Sequence, residues 1–168
     1  AGAHVSLNRD IAAEKQAFAQ YKDTWRYGGG SIWSTPAIDP ELGLIYFGTG
    51  NPSPQMDDTT RPGDNLYTVS LVALDINTGK MKWHYQQVPH DRWGYDVASP
   101  PILFDFKRDG KTIKAVGQAS KTGWFYVHDR KTGELLLRSE PFAPQDNLFA
   151  RPTEAGVRIV PGTLGATS

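Results

Sequence analysis

The stretch IYFGTGNPSP, Ile45 to Pro54, ends an apolar run with two glycines, an asparagine and a proline. Pro52 has no backbone N–H to extend a sheet ladder, so the strand stops there and the Asn51 side chain is free to leave the sheet edge. Its amide oxygen is a hard, neutral donor of the kind taken by Ca²⁺ or a lanthanide ion. Taken alone, the Asn-Pro pair is equally a turn signal. A second stretch, VPHDRWGYDVASPP at Val88 to Pro101, sets Asp91 and Asp96 on either side of Trp93. Carboxylates at such a place offer charged oxygens to a metal or a base to a hydroxyl proton. Trp33 follows three glycines and Ser31-Ile32, a setting in which the chain can approach a flat ligand closely; the plain alternative is a core tryptophan. The chain has no cysteine, so disulfides, thiolate metal sites and cysteine nucleophiles are excluded together, and any metal must be held by oxygen or histidine. Neither HExxH nor GxSxG occurs, which leaves little support for a hydrolase.

These side chains need strands that stop close to one another. From Tyr27 onward the sequence is a series of brief β-branched and aromatic runs punctuated by Gly, Pro, Asn and Asp, the pattern of many short strands. Ahead of them NRDIAAEKQAFAQYKD has apolar residues among polar ones without Gly or Pro, and predicts a short helix within an N-terminal segment, 1–26. With 18 basic and 18 acidic residues the chain has no bulk field for nucleic acid or an anionic membrane. No apolar run approaches the roughly 20 residues that span a bilayer, and AGAHVSLNRD lacks the regions of a signal peptide. A soluble chain is expected, processed or cut from something longer.

The strands repeat. ALDINTGKMKW from Ala73 and VHDRKTGELLL from Val127 share an Asp, a Thr-Gly and a following strand in one frame, 54 residues apart. Each copy reads as a strand, a turn opened by Asp and closed by Gly at positive φ, and a return strand. Extended outward, one unit has strands at Ser34–Asp39, Leu44–Gly48, Ser70–Asp75 and Lys82–Gln86; the other has Ser99–Asp105, Ile113–Ala119, Trp124–Asp129 and Leu135–Ser139. Four-stranded antiparallel units at this period are the blades of a β-propeller, here about 31–88 and 97–142, with a further blade starting near 162–168; a β-sandwich is the competing reading. Closed propellers take about 4 to 8 blades. Two would leave outer faces uncovered, so a fragment of a larger ring, or one completed by another polypeptide, is expected.

Four stretches carry a specific likeness: GGGSIWSTPAIDPELGLIYFGTGNPSP, RPGDNLYTVSLVALDINTGKMKWHYQ, PHDRWGYD and ASKTGWFYVHDRKTGE. In this order they resemble the pyrroloquinoline quinone (PQQ) dependent alcohol and glucose dehydrogenases, whose propellers have eight blades; the likeness runs from about Gly28 to Gly133. It implies an all-β fragment of such a propeller, part of an enzyme that oxidises an alcohol or sugar by hydride transfer to a metal-bound quinone. The cofactors implied are PQQ and Ca²⁺ or a lanthanide. By the same resemblance Trp33 stacks on PQQ, Lys121 hydrogen-bonds the quinone oxygens, Asn51 binds the metal, and Trp83 docks its blade on the next. Leu137 holds the place of Trp83 in the second copy, so that seam is expected to be poorer in aromatic stacking.

HDRWGYD contains a departure. The family's residue after this tryptophan is usually the aspartate that takes the alcohol proton, and here it is Gly94, which has no side chain to do so. Asp96 stands where lanthanide enzymes of the family carry an extra acidic ligand; it is open to three roles, metal ligand, substitute catalytic base, or cap of the loop before Ser99. Asp91 is an alternative base, although His90 and Asp91 match a pair that braces the loop. The family's glutamate ligand and several PQQ contacts come from blades outside this chain, so the chain alone is expected not to turn over. A propeller that kept its scaffold and lost its base, acting as a binding or assembly module, is the rival reading. Partners implied are a small alcohol or sugar, a cytochrome or quinone electron acceptor and the remaining blades, with no nucleic acid; the location implied is the periplasm.

Overall fold

The computed structural model describes residues 29–143 without a break, single positions and one short turn within 12–26, and the backbone of two strands at 149–153 and 156–159. Of the expected N-terminal helix, Ala12 and Gln16 are helical and Ala19–Tyr21 forms a 3-10 turn. Asp23 lies in a turn, and the remaining residues of that stretch lie outside the described ones, as does the strand start expected near 162–168.

Eight strands form two antiparallel sheets, each in sequential order. The first holds β1 (Ala37–Asp39), β2 (Leu44–Gly48), β3 (Ser70–Asp75) and β4 (Met81–Gln86); the second holds β5 (Ile102–Arg108), β6 (Lys111–Ala119), β7 (Phe125–Asp129) and β8 (Leu135–Arg138). Both are the meander of a propeller blade, without the crossed-over Greek key that most sandwiches use. β1 and β5 start later than the sequence pattern predicts because Pro36 and the Pro100-Pro101 pair supply no N–H to the ladder. β5 and β6 run on to meet at Asp109-Gly110, both at positive φ (50° and 73°), the two-residue hairpin turn. A further hairpin not anticipated from the sequence pairs β9 (Phe149–Thr153) with β10 (Gly156–Ile159). Pro152 inside β9 argues against a strand until the pairing with Val157 is seen.

The repeated turns form as their sequence dictates. Asp75 Oδ1 accepts from the N–H groups of Asn77 and Thr78 at 3.1 and 3.0 Å, and Asp129 Oδ1 accepts from those of Lys131 and Thr132 at 2.8 and 2.9 Å. Asp39 does the same for Glu41 and Leu42 in the β1–β2 turn, at 3.0 and 3.2 Å, a third copy hidden by its different residues. Each turn lets the backbone reverse while the Asp side chain satisfies two N–H groups.

The sheets pack face to face. Leu44, Tyr46, Leu71, Ala73 and Trp83 of the first are buried with Val116 of the second. The Trp83 indole donates to Arg130 O at 3.1 Å, and the Tyr46 hydroxyl donates to the same carbonyl at 2.8 Å. Arg130 Nε lies 2.8 Å from Asp39 Oδ2, in ion-pair contact without the alignment of a hydrogen bond, and joins the two sheets. Leu137, at the place on β8 that matches Trp83, is 44% exposed.

His128, on β7, is buried among Trp83, Tyr85 and Tyr126, and its Nδ1 contacts Gly133 O at 3.2 Å. Burial holds its pKa down at about 4, against the raising effect of that carbonyl, from an ordinary 6.5. The unfolded chain therefore takes up this proton before the folded one. The stability contributed by neutral His128 is complete above about pH 6.5 and is lost as pH falls toward about 4, to the extent of about 3 kcal/mol. Urea unfolding at a series of pH values is expected to show this decline, with His128→Phe flattening it. An equal slope in that variant would assign the acid sensitivity elsewhere.

Candidate functional site

In an up-and-down meander the starts of odd strands and the ends of even strands lie at one end of the sheet. Trp33 precedes β1, Asn51 follows β2, Asp96 lies between β4 and β5, and Lys121 lies in the β6–β7 turn, so chain parity places all four at that end. The Asp-led turns close the opposite end.

Local bonds then draw the loops together. Gly30 N–H donates to Asn51 O and Gly50 N–H to Ser31 O, both at 2.9 Å, which clamps the segment before Trp33 against the end of β2. Val69 N–H donates to Gly50 O at 3.0 Å and Val97 N–H to Thr49 O at 3.1 Å, bringing the Asp96 loop alongside. Gly50 is the pivot of this arrangement. A Cβ added to it would lie 3.1 Å from Asp96 Oδ1, 3.2 Å from Trp33 Nε1 and 3.3 Å from Ser31 O, so the bare backbone is what lets the indole and the carboxylate crowd together. Trp33 is nevertheless 58% exposed. An indole held by its edge with so much surface open differs from the buried Trp83 and is suited to stacking on a planar molecule.

Asp96 is the hub. Its Oδ1 accepts from Asn51 N–H at 2.9 Å, and its Oδ2 lies 2.7 Å from Lys121 Nζ. Lys121 also donates to Gly94 O at 2.9 Å. Its turn is held by Ser120, whose N–H donates to Trp124 O at 3.0 Å and whose hydroxyl accepts from Thr122 N–H at 3.1 Å. Burial pushes the Asp96 carboxyl up, but the lysine hydrogen bond, the Asn51 N–H and the lysine charge outweigh it and hold the acid below the usual carboxylate range. Asn51 spends Nδ2 on Pro52 O at 2.8 Å, which leaves its amide oxygen for another partner. Trp33, Asn51, Asp96 and Lys121 therefore form one connected set.

The structure also accounts for His90 and Asp91. Asp91 is fully buried, and its carboxylate accepts from the N–H groups of Trp93, Gly94 and Tyr95 at 2.8 to 3.2 Å. Burial raises its pKa against the pull of those donors. His90 contacts Gly63 O through Nδ1 and Asp58 through Nε2, the latter at 2.8 Å. Both residues brace the loop, as the resemblance implied, and their polar atoms are turned into it.

Gly94 adopts φ +89°, and a Cβ there would fall 2.3 Å from Gln55 Nε2. A side chain at this position would have to displace the Gln55 amide and hold a backbone conformation that L-residues rarely adopt. Sequence reasoning missed Gln55, whose amide donates to Trp93 O at 3.1 Å across 38 residues. Its position after Pro54, in the loop that follows Asn51, is the only sequence signal for it, and a weak one.

Among the described residues no group of three or more His, Cys, Asp or Glu is placed to hold a metal. The oxygens present, the Asn51 amide, the Asp96 carboxylate and the Gly94 carbonyl, are hard donors that fit part of the shell of Ca²⁺ or a lanthanide. The exposed indole with an ammonium nearby fits a flat, anionic ring system.

A family model described as PQQ: Glucose/ethanol/alcohol dehydrogenase, beta-propeller domain, matches residues 8–155. Quinoprotein alcohol dehydrogenase PedH of Pseudomonas putida is 46% identical over 120 residues, 71% of this chain and 20% of that protein. Lanthanide-dependent methanol dehydrogenase of Methylorubrum extorquens is 39% identical over 143 residues, 85% of this chain and 24% of that protein. Among solved structures, quinohemoprotein alcohol dehydrogenase from Comamonas testosteroni superposes with a TM-score of 0.75 at 35% identity, covering 91% of this chain and 24% of its own. A europium-containing methanol dehydrogenase gives 0.73 at 32% identity, over 83% of this chain and 24% of its own. The chain thus spans about a quarter or less of the length of these relatives.

Proposed function

The chain belongs to the PQQ glucose/ethanol/alcohol dehydrogenase β-propeller family, and from that membership we propose that it forms part of an enzyme oxidising an alcohol or sugar, with PQQ and Ca²⁺ or a lanthanide as cofactors. The observation that carries this reading is the set built on Asp96: Lys121 and Asn51 on its two oxygens and the Trp33 indole beside it at Gly50.

Each residue has a part that its surroundings support. The exposed face of Trp33 orients a planar ring by stacking. Asn51 and Asp96 offer oxygens to the metal. Lys121 would offer its positive charge to an oxygen of the bound quinone. When bound, PQQ would supply a hydride acceptor and the metal a Lewis acid. With Gly94 unable to act, Asp96 is the carboxylate left to accept the hydroxyl proton if it does not ligate metal, since Asp91 is spent on backbone N–H groups.

No helix among the described residues is long and apolar enough to cross a membrane. The periplasmic location, the cytochrome or quinone electron acceptor and the need for further blades are proposed on family membership alone. The non-catalytic module remains the second reading, favoured by the Gln55 amide lying where a residue-94 side chain would extend.

Full-length protein loaded with PQQ and Ca²⁺ or La³⁺ is expected to reduce an artificial electron acceptor with an alcohol or aldose. Asp96→Asn is expected to lower that rate about a hundredfold or more. This chain by itself, given the same additions, is expected to be inactive. A full-length protein that neither quenches on PQQ addition nor turns over would favour the module, and full activity in Asp96→Asn would remove Asp96 from the site.

A further inference from the structure

The function proposed above gives Lys121 and Asp96 different partners, yet in the structure they hold each other. The ammonium sits 2.7 Å from Asp96 Oδ2 and 2.9 Å from Gly94 O. The other carboxylate oxygen is occupied by Asn51 N–H at 2.9 Å, so Oδ2 is the one a cation can reach. The Asp96 side chain is 14% exposed and that of Lys121 is 47% exposed, which makes the lysine the movable member. A carboxylate oxygen and a backbone carbonyl converging on one point are the hard donors that Ca²⁺ and lanthanide ions take. Here a tethered monovalent cation already fills that point.

We propose that Lys121 is an intramolecular stand-in cation, which occupies Asp96 Oδ2 and Gly94 O until a divalent or trivalent ion displaces it, and whose displacement frees the ammonium for an anionic ligand on Trp33. The inference rests on the reading of Asp96 as a metal ligand. A metal ion and an ammonium on the same carboxylate oxygen repel each other at contact distance, so metal binding loosens the lysine's hold. An ion pair with a half-exposed lysine is weak, and a higher-valence ion outcompetes it without a large barrier. Because the coupling is reciprocal, removing the lysine must tighten metal binding. Loading the metal first then presents a free ammonium to the anionic ligand.

The test uses the full-length protein and two readouts that need no turnover. Tb³⁺ is titrated and followed by indole-sensitised emission in wild type, Lys121→Met and Asp96→Asn, and reductive methylation of Lys121 is timed by mass spectrometry with and without La³⁺. Lys121→Met is expected to bind Tb³⁺ about two- to tenfold more tightly than wild type, Asp96→Asn to lose the emission, and La³⁺ to speed Lys121 methylation severalfold. If Asp96→Asn abolishes binding while Lys121→Met binds no tighter and methylation is unchanged, the exchange is overturned and the metal-ligand reading stands. If Asp96→Asn binds Tb³⁺ as wild type does, the ligand reading fails and the exchange with it. The methylation arm uses unmodified protein, so the proposal stays open to refutation even where a variant folds poorly.

Discussion

Trp83→Ala should lower the stability of the stacked sheets by about 3–5 kcal/mol, read as the fall in the urea midpoint at unchanged slope. Trp83 is 1% exposed and is the largest side chain in the core between the sheets. Its ring lies against the Asp129–Gly133 turn of the neighbouring sheet so closely that a Cβ on Gly133 would come within 2.7 Å of it. Gly133 also stands at φ +80°, so glycine serves there both for the turn and for the tryptophan. Truncation would open a cavity bounded by Tyr46, His128 and that turn, and would leave Arg130 O with the Tyr46 hydroxyl as its donor. The turn cannot collapse into the space, because Asp129 holds it through two N–H bonds of its own. A loss below about 1 kcal/mol, the size of a surface substitution, would mean that the sheets do not depend on this contact.

Asp91→Asn should be nearly as damaging, at about 2–4 kcal/mol, although it removes a buried charge and keeps the shape of the side chain. The reason is the number of donors around it. Trp93, Gly94 and Tyr95 all point N–H groups at the two carboxylate oxygens. An asparagine would keep one acceptor and turn an NH₂ toward the others, leaving buried donors facing a donor. Burial raises the Asp91 pKa, so the ionised carboxyl by itself weighs against folding. That penalty is absent below the ordinary carboxylate range and sets in as pH rises into the raised range. If desolvation decided the outcome, the neutral amide would be harmless or stabilising at pH 7; destabilisation there would show that the donor cage decides it. The same variant should disturb the site, because residues 93–95 lead directly into Asp96. Loss of the Lys121–Asp96 contact would appear as faster Lys121 methylation without metal.

Much of the frame was legible in the sequence because it depends on local chemistry. An Asp followed by Thr-Gly specifies a turn through a side-chain bond two and three residues on, and no distant residue is needed to close it. Proline sets the strand starts at Ala37 and Ile102 by the donors it lacks, a rule the strand boundaries read from hydrophobic pattern alone passed over. The Asp109-Gly110 hairpin was equally local, and its signal lies in two residues. The β1–β2 turn, built from Asp39 with Pro40, Glu41 and Leu42 in place of the repeated residues, was hidden only because its geometry repeats without its sequence.

By itself the amino-acid order determined the eight strands of the two sheets, how they repeat, and that Trp33, Asn51, Asp96 and Lys121 lie at one end, since strands that alternate in direction sort their ends by parity alone; it gave no sign of the β9–β10 hairpin. Only the tertiary structure decided who touches whom: that Lys121 takes Asp96 and Gly94 O, that Gln55 lies over Gly94, and that Trp83 docks on the Gly133 turn. Those contacts join residues 25 to 50 positions apart. Chain spacing constrains such pairs hardly at all, because the choice among rotamers and loop paths is made by close packing and by the need to satisfy buried polar groups once the sheets have met.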